Sequence, residues 1–140
     1  MANNSDGSAL GKHPRQVLAH LYPDVEISVD ETAGTVTGSA TFYPQPEYEG
    51  APGWMHGGLS ATVLDFVSAK IANASLTARV ATGTLDLRYR QPVTMDGGPY
   101  QVQGSAPIAK DRTVRVNAEI VDHNGRPLVE ASGLFVAVER

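Results

Sequence analysis

The sequence has no cysteine. Disulfides, thiolate metal ligands and cysteine nucleophiles are therefore excluded together, and the composition suits a reducing compartment. Aromatic residues are sparse, with three Phe, one Trp and five Tyr, and the formal net charge is −4 with no run of basic residues. A nucleic-acid surface calls for a basic stripe with aromatics between, so the composition argues against one. A small anionic ligand stays open, because a few well-placed Arg or Lys hold phosphates on an acidic protein. No apolar run approaches the roughly 18 residues of a membrane span. The opening residues, Met1 to Ser8, lack the basic and apolar regions of a secretory signal, so a cytoplasmic protein is expected. His13, His20 and His123 have no partners at metal-ligand spacing, so no metal is expected.

What is present reads as one domain over 13–140, preceded by a disordered lead at 1–12. Pro14 to Leu21 reads as a short helix with Pro14 near its first turn. Alternation over Val25 to Val29 gives a strand, Ala33-Gly34 a hairpin turn, and Thr35 to Tyr43 the return strand. The Pro- and Gly-rich stretch from Pro44 to Met55 is expected to have no regular structure. From His56 to about Leu76, Leu64, Val67, Ser68 and Ile71 follow i, i+3, i+4, i+7 spacing, which predicts a helix of about five turns. Its other faces are mostly apolar or small, so burial nearly all round is expected. Strands follow over Thr84 to Arg90, Tyr100 to Ile108, Thr113 to Val121 and Leu128 to Val138, with a hairpin turn at Asn124-Gly125. One long helix with about six mostly antiparallel strands is an α+β architecture.

Three features in this order carry chemistry. His56-Gly57-Gly58 opens the helix where Ser, Thr, Asp or Asn usually caps. Helix starts leave backbone N–H groups without partners at the positive end of the macrodipole, and two glycines let ligand atoms come close. That suits a carbonyl oxygen gaining negative charge. The plainer alternative is that His56 caps the helix and the glycines relieve a tight turn. Asp65 sits in the middle of the apolar helix beside Ala61, Thr62, Ser68 and Ala69, where a carboxylate needs hydrogen bonds or a cleft. The alternative is that this stripe faces solvent or a subunit boundary. Thr82 stands just before the alternating strand. Gly57 and Asp65 lie eight residues apart, or about 12 Å of helical rise. One ester carbonyl does not reach both, so their joint action requires two copies of the chain.

The run Pro52-Gly53-Trp54-Met55-His56-Gly57-Gly58, then Ala61 and Asp65, then Leu85 to Pro92, resembles the PaaI-like branch of the hotdog-fold acyl-CoA thioesterases. The resemblance implies a central helix wrapped by an antiparallel sheet, paired protomers that join sheets, and CoA-thioester hydrolysis at the dimer interface. It implies that Gly57 offers its N–H to the thioester oxygen, that His56 shapes the pocket, and that Asp65 of a second copy is general base or nucleophile. Thr82 matches a Ser/Thr position that orients the water. Gly58 and Trp54 would line the substrate site. Many members carry Asn six residues before the His, where this chain has Gly50. A homodimer or homotetramer is expected, and no cofactor, since coenzyme A is part of the substrate. Lys110 and Arg112 are the candidate contacts for its phosphates. Two other classes compete: a hotdog-fold hydratase or dehydratase acting on acyl thioesters, and a non-catalytic acyl-CoA binder.

Overall fold

A computed structural model of the chain describes residues 21–138. The predicted lead at 1–12, and nearly all of the helix expected over Pro14 to Leu21, lie outside those residues. Six strands and one long helix follow: β1 (Glu26–Asp30), β2 (Thr35–Phe42), α1 (Gly57–Leu76), β3 (Val80–Tyr89), β4 (Tyr100–Pro107), β5 (Thr113–Val121) and β6 (Pro127–Ala137). The strands form one sheet in the order β1-β2-β4-β5-β6-β3, and every neighbouring pair is antiparallel. β1 and β3 are its edges. Among the described residues no helix is long and apolar enough to cross a membrane.

The helix lies against the inner face of the sheet, and the register explains how it comes close. Gly38 pairs with Gly104, Gly104 with Ala118, and Ala118 with Ala131, so small residues cross four strands in one row. A Cβ on Gly38 would stand 2.7 Å from Ile71 Cγ1, and one on Gly104 3.0 Å from Ile71 Cδ1. Ile71 therefore occupies space that any larger residue at these two positions would fill. Val63, Leu64, Val67 and Ile71 are fully buried. Removing each from water contributes about 1.5–3 kcal/mol before entropy is counted. Outward-facing positions of the same strands, among them Thr37, Gln103 and Asn117, are exposed.

Three expectations need correction. The helix is not buried all round: its buried residues form one stripe from Ser60 to Ser75, while Gly58, Lys70 and Asn73 are exposed. A single sheet covers one side of a helix, and small residues such as alanine tolerate the other. The Pro44 to Met55 loop contains a 3-10 turn at Pro46–Tyr48, started by a proline whose fixed φ suits a first turn, and a bridge between Glu49 and Met55. The strand expected from Thr84 starts at Val80, and its register shifts between Thr82 and Thr84. Gly83 is the extra residue of a β-bulge.

Candidate active site

The helix begins at a loop tied down on both sides. Met55 N–H donates to Val93 O at 2.8 Å, and His56 N–H donates to Tyr48 O at 2.8 Å. His56 itself is extended, with φ −60° and ψ 131°, and caps the helix: its Nδ1 accepts from Gly58 N–H at 3.1 Å. Its carbonyl accepts from Leu59 N–H at 3.0 Å and from Ser60 N–H at 3.2 Å. Of the four N–H groups that open an α-helix, three are thus engaged. Gly57 N–H alone has no partner among the described residues. The capping reading and the open-donor reading of His56-Gly57-Gly58 both hold, on different atoms. Because Nδ1 accepts, neutral His56 carries its proton on Nε2.

Tyr89 fixes the same peptide from the other side. Its hydroxyl donates to Gly57 O at 2.7 Å, and its ring would lie 3.3 Å from a Cβ on Gly57. A side chain at position 57 would therefore press on this ring, which would have to give by a few tenths of an ångström. A Cβ on Gly58 would meet only ordinary contacts, 3.5 Å and beyond. Partial burial raises the Tyr89 phenol above its ordinary value of 10.0, which keeps the proton it donates. Gly50 packs under the cap: a Cβ there would be 3.0 Å from His56 Cα and 3.3 Å from the ring.

Asp65 is half-buried, on the helix two turns beyond Gly57. Its Oδ1 accepts from Thr82 Oγ1 at 2.8 Å. Oδ2 has no partner among the described residues. The bulge at Gly83 makes this pair. Thr82 stands opposite Phe135, and Leu85 opposite Gly133, so both face the helix, whereas strict alternation would have turned Thr82 away with Thr84.

The expected site residues fall into separate groups within one chain. His56, Gly57, Gly58 and Trp54 stand at the helix start, but Gly58 uses its N–H on His56. Asp65 and Thr82 form the second group. Lys110 and Arg112 are at the opposite end of the molecule, where Ala109 N–H reaches Ser75 O at 3.4 Å near the helix C-terminus. Lys110 is exposed, and Arg112 Nη2 donates to Ala137 O at 2.9 Å.

A cavity of about 280 Å3 adjoins Gly57, lined by Trp54, Met55, Ser60, Tyr89, Val93 and Val129 among others. A larger concavity of about 1130 Å3 lies on the outer, polar side of the sheet, among Ser39, Gln103, Asn117, Glu119 and Ser132. None of His56, Gly57, Asp65 or Thr82 lines it, whereas Gly57 lines the smaller cavity. The hold of Tyr89 on Gly57 and the place of Ser60 in the cavity were not read from the sequence. Each had a signal: Tyr89 shares the inward face of Leu85 and Leu87, and Ser60 lies three residues, hence one helical turn, from Gly57.

No protein-family model matches the chain. It is 31% identical over 96 residues to an acyl-coenzyme A thioesterase of Xenopus laevis (THEM4), a match that covers 68% of this chain and 42% of that protein. The chain thus spans less than half the length of this curated relative. A Lactococcus lactis protein, yhdA, named as a thioesterase, superposes with a TM-score of 0.74 at 14% identity, covering 84% of this chain and 92% of that one. The chain has the hotdog fold of thioesterase-superfamily proteins. A Streptococcus pneumoniae protein, described as a hypothetical thioesterase and crystallised with coenzyme A, superposes with a TM-score of 0.65 at 19% identity, over 84% of this chain and 90% of that one. At such identities the likeness to the solved hotdog structures is one of fold. The buried α1 is the central helix of that fold, and the β-sheet that wraps it is the one the sequence pattern predicted.

Proposed function

We propose that this chain hydrolyses an acyl-CoA thioester, with Gly57 N–H receiving the carbonyl oxygen and Asp65 of a second copy activating water. The observation that carries this reading is the single unengaged N–H at the helix start, fixed by His56 and Tyr89. A fixed donor aimed at a developing oxyanion requires no reorganisation as charge forms. Asp65 Oδ2 takes a proton from water, whose oxygen attacks the thioester carbonyl carbon. The tetrahedral oxyanion rests on Gly57 N–H. Collapse breaks the carbon–sulfur bond, and the proton held by Asp65 goes to the departing thiolate, giving free acid and CoA. Thr82 donates to Oδ1, which keeps that oxygen occupied and leaves Oδ2 as the base.

The two-copy arrangement finds support in the sheet. Among the described residues β3 pairs only with β6, so its other edge is unpaired there over ten residues. Long edges of this kind are templates for pairing. Two β3 strands paired antiparallel about a two-fold axis would lay the Thr82 end of one beside the Tyr89 end of the other. Asp65 of the second copy then approaches Gly57 of the first, and Lys110 comes from the second copy's side as a candidate phosphate contact. A homodimer, alone or within a tetramer, and a cytoplasmic location go with this reading.

The test is thiol release from a panel of acyl-CoAs, read with a thiol-reactive dye against which a cysteine-free protein gives no background. Asp65→Asn is expected to lower kcat by a factor of order 100 or more while substrate binding persists. Undiminished turnover in Asp65→Asn would refute the assignment. A product one water heavier with the thioester intact would indicate a hydratase, and binding without turnover an acyl-CoA carrier.

A further inference from the structure

Ser60 lies three residues beyond Gly57, on the same helix face and about 4.5 Å further along the axis. It is 2% exposed and lines the 280 Å3 cavity, yet its hydroxyl has no hydrogen-bond partner among the described residues. Thr62, two positions on, satisfies its hydroxyl at Gly58 O at 3.0 Å, the usual resort of a helical hydroxyl. Ser60 makes no such bond to its own helix, so its hydroxyl is left to the cavity it lines. Around it the cavity is mostly apolar, with Met55, Val93 and Val129 and the rings of Trp54 and Tyr89.

Resting on the thioesterase reading, we infer that Ser60 recognises a neutral polar substituent on the acyl chain, a hydroxyl or oxo group close to the thioester. The position follows from the geometry. With the carbonyl oxygen at Gly57 N–H, a group that reaches Ser60, one helical turn on in the same cavity, lies a few bonds beyond the carbonyl, near the β-carbon. Its neutrality follows from charge. Arg90, the one cationic residue lining the cavity among the described residues, is paired through Nε with Glu130 at 2.9 Å, so the lining holds little unopposed positive charge for an acyl carboxylate. The cavity of about 280 Å3 is small for a ligand site, which suits a short acyl chain. A serine hydroxyl both donates and accepts, so it serves a β-hydroxyl and a β-oxo group alike.

The experiment compares hexanoyl-CoA, 3-hydroxyhexanoyl-CoA and 3-oxohexanoyl-CoA with wild type, Ser60→Ala and Asp65→Asn. Wild type is expected to favour an oxygenated substrate at least about tenfold in kcat/KM, because an apolar chain leaves the Ser60 hydroxyl unpaired. Ser60→Ala, which suits a helix and fits the same space, is expected to bring that ratio close to one, and this comparison removes intrinsic differences in thioester reactivity. A wild-type ratio near one, or a preference that Ser60→Ala leaves intact, overturns the inference while Asp65-dependent release upholds the thioesterase. Absence of release from all three substrates, or release that survives Asp65→Asn, overturns the thioesterase reading and this inference with it.

Discussion

The Tyr89 hydroxyl donates to Gly57 O at 2.7 Å, and the same peptide unit gives its Gly58 N–H to His56 Nδ1 at 3.1 Å. The first peptide of the helix is therefore held at its oxygen and at its nitrogen. One link comes from a strand that ends 32 residues later, and the other from the cap. What this clamp leaves free is the preceding N–H, that of Gly57.

Tyr89→Phe keeps the ring on Gly57 and removes only the donor. We expect kcat for the best substrate to fall about tenfold, with KM and melting temperature changing little, because the Gly57 N–H loses its fixed direction without losing its packing. The phenol has a raised value in the folded chain, so its contribution to stability is complete below the ordinary 10.0 and is lost as pH rises through the folded value. Thermal unfolding between pH 8 and 11 should therefore show wild type losing stability at the alkaline end more steeply than Tyr89→Phe. Parallel curves would mean that the phenol is not buried in solution as it is in this structure.

Thr82 tests the other half of the site. Thr82→Val preserves shape and strand preference but cannot donate to Asp65 Oδ1, leaving both carboxylate oxygens free to turn. The expected outcome is a fall in kcat of about tenfold, smaller than that of Asp65→Asn, with recovery in Thr82→Ser. Equal rates for the valine and serine variants would remove Thr82 from the mechanism.

Gly50 stands where the family resemblance leads one to expect asparagine. In this structure Gly50 N–H donates to Trp54 O at 2.8 Å, and a side chain at position 50 would press on the His56 backbone at 3.0 Å. Gly50→Asn should therefore destabilise the fold by about 1–3 kcal/mol, the usual scale of overpacking, and lower activity through displacement of the cap. Chemical denaturation gives the first effect and thiol release the second. A gain in activity at unchanged stability would show that the loop yields and that an amide is useful at this site.

Much of this was legible in the residues. The i, i+3, i+4, i+7 pattern through Leu64, Val67 and Ile71 is a local consequence of helical geometry, and strand alternation over Thr113 to Val121 is equally local. Turn chemistry at Asn124-Gly125 is local too: Gly125 takes φ +81°, and Asp122 Oδ1 accepts from Asn124 and Arg126 N–H at 2.9 Å each. Asp65 was conspicuous because a carboxylate among apolar neighbours calls for an explanation wherever the helix lies. The bulge at Gly83 was not legible. Glycine ends strands as readily as it kinks them, and only the opposing β6 decides between the two.

By itself, then, the sequence determined the elements and their faces, the absence of thiol chemistry, and the two residues, Gly57 and Asp65, on which a thioester reading rests. These follow from backbone geometry and composition, which act over a few residues. Tertiary structure alone decided that β3 lies beside β6 at the sheet edge, that Thr82 turns inward to Asp65, and that Tyr89 holds Gly57. It also decided that Ser60 faces a cavity without a partner. Each of these depends on groups distant in the chain, brought together by packing the helix against the sheet, and no local preference specifies them.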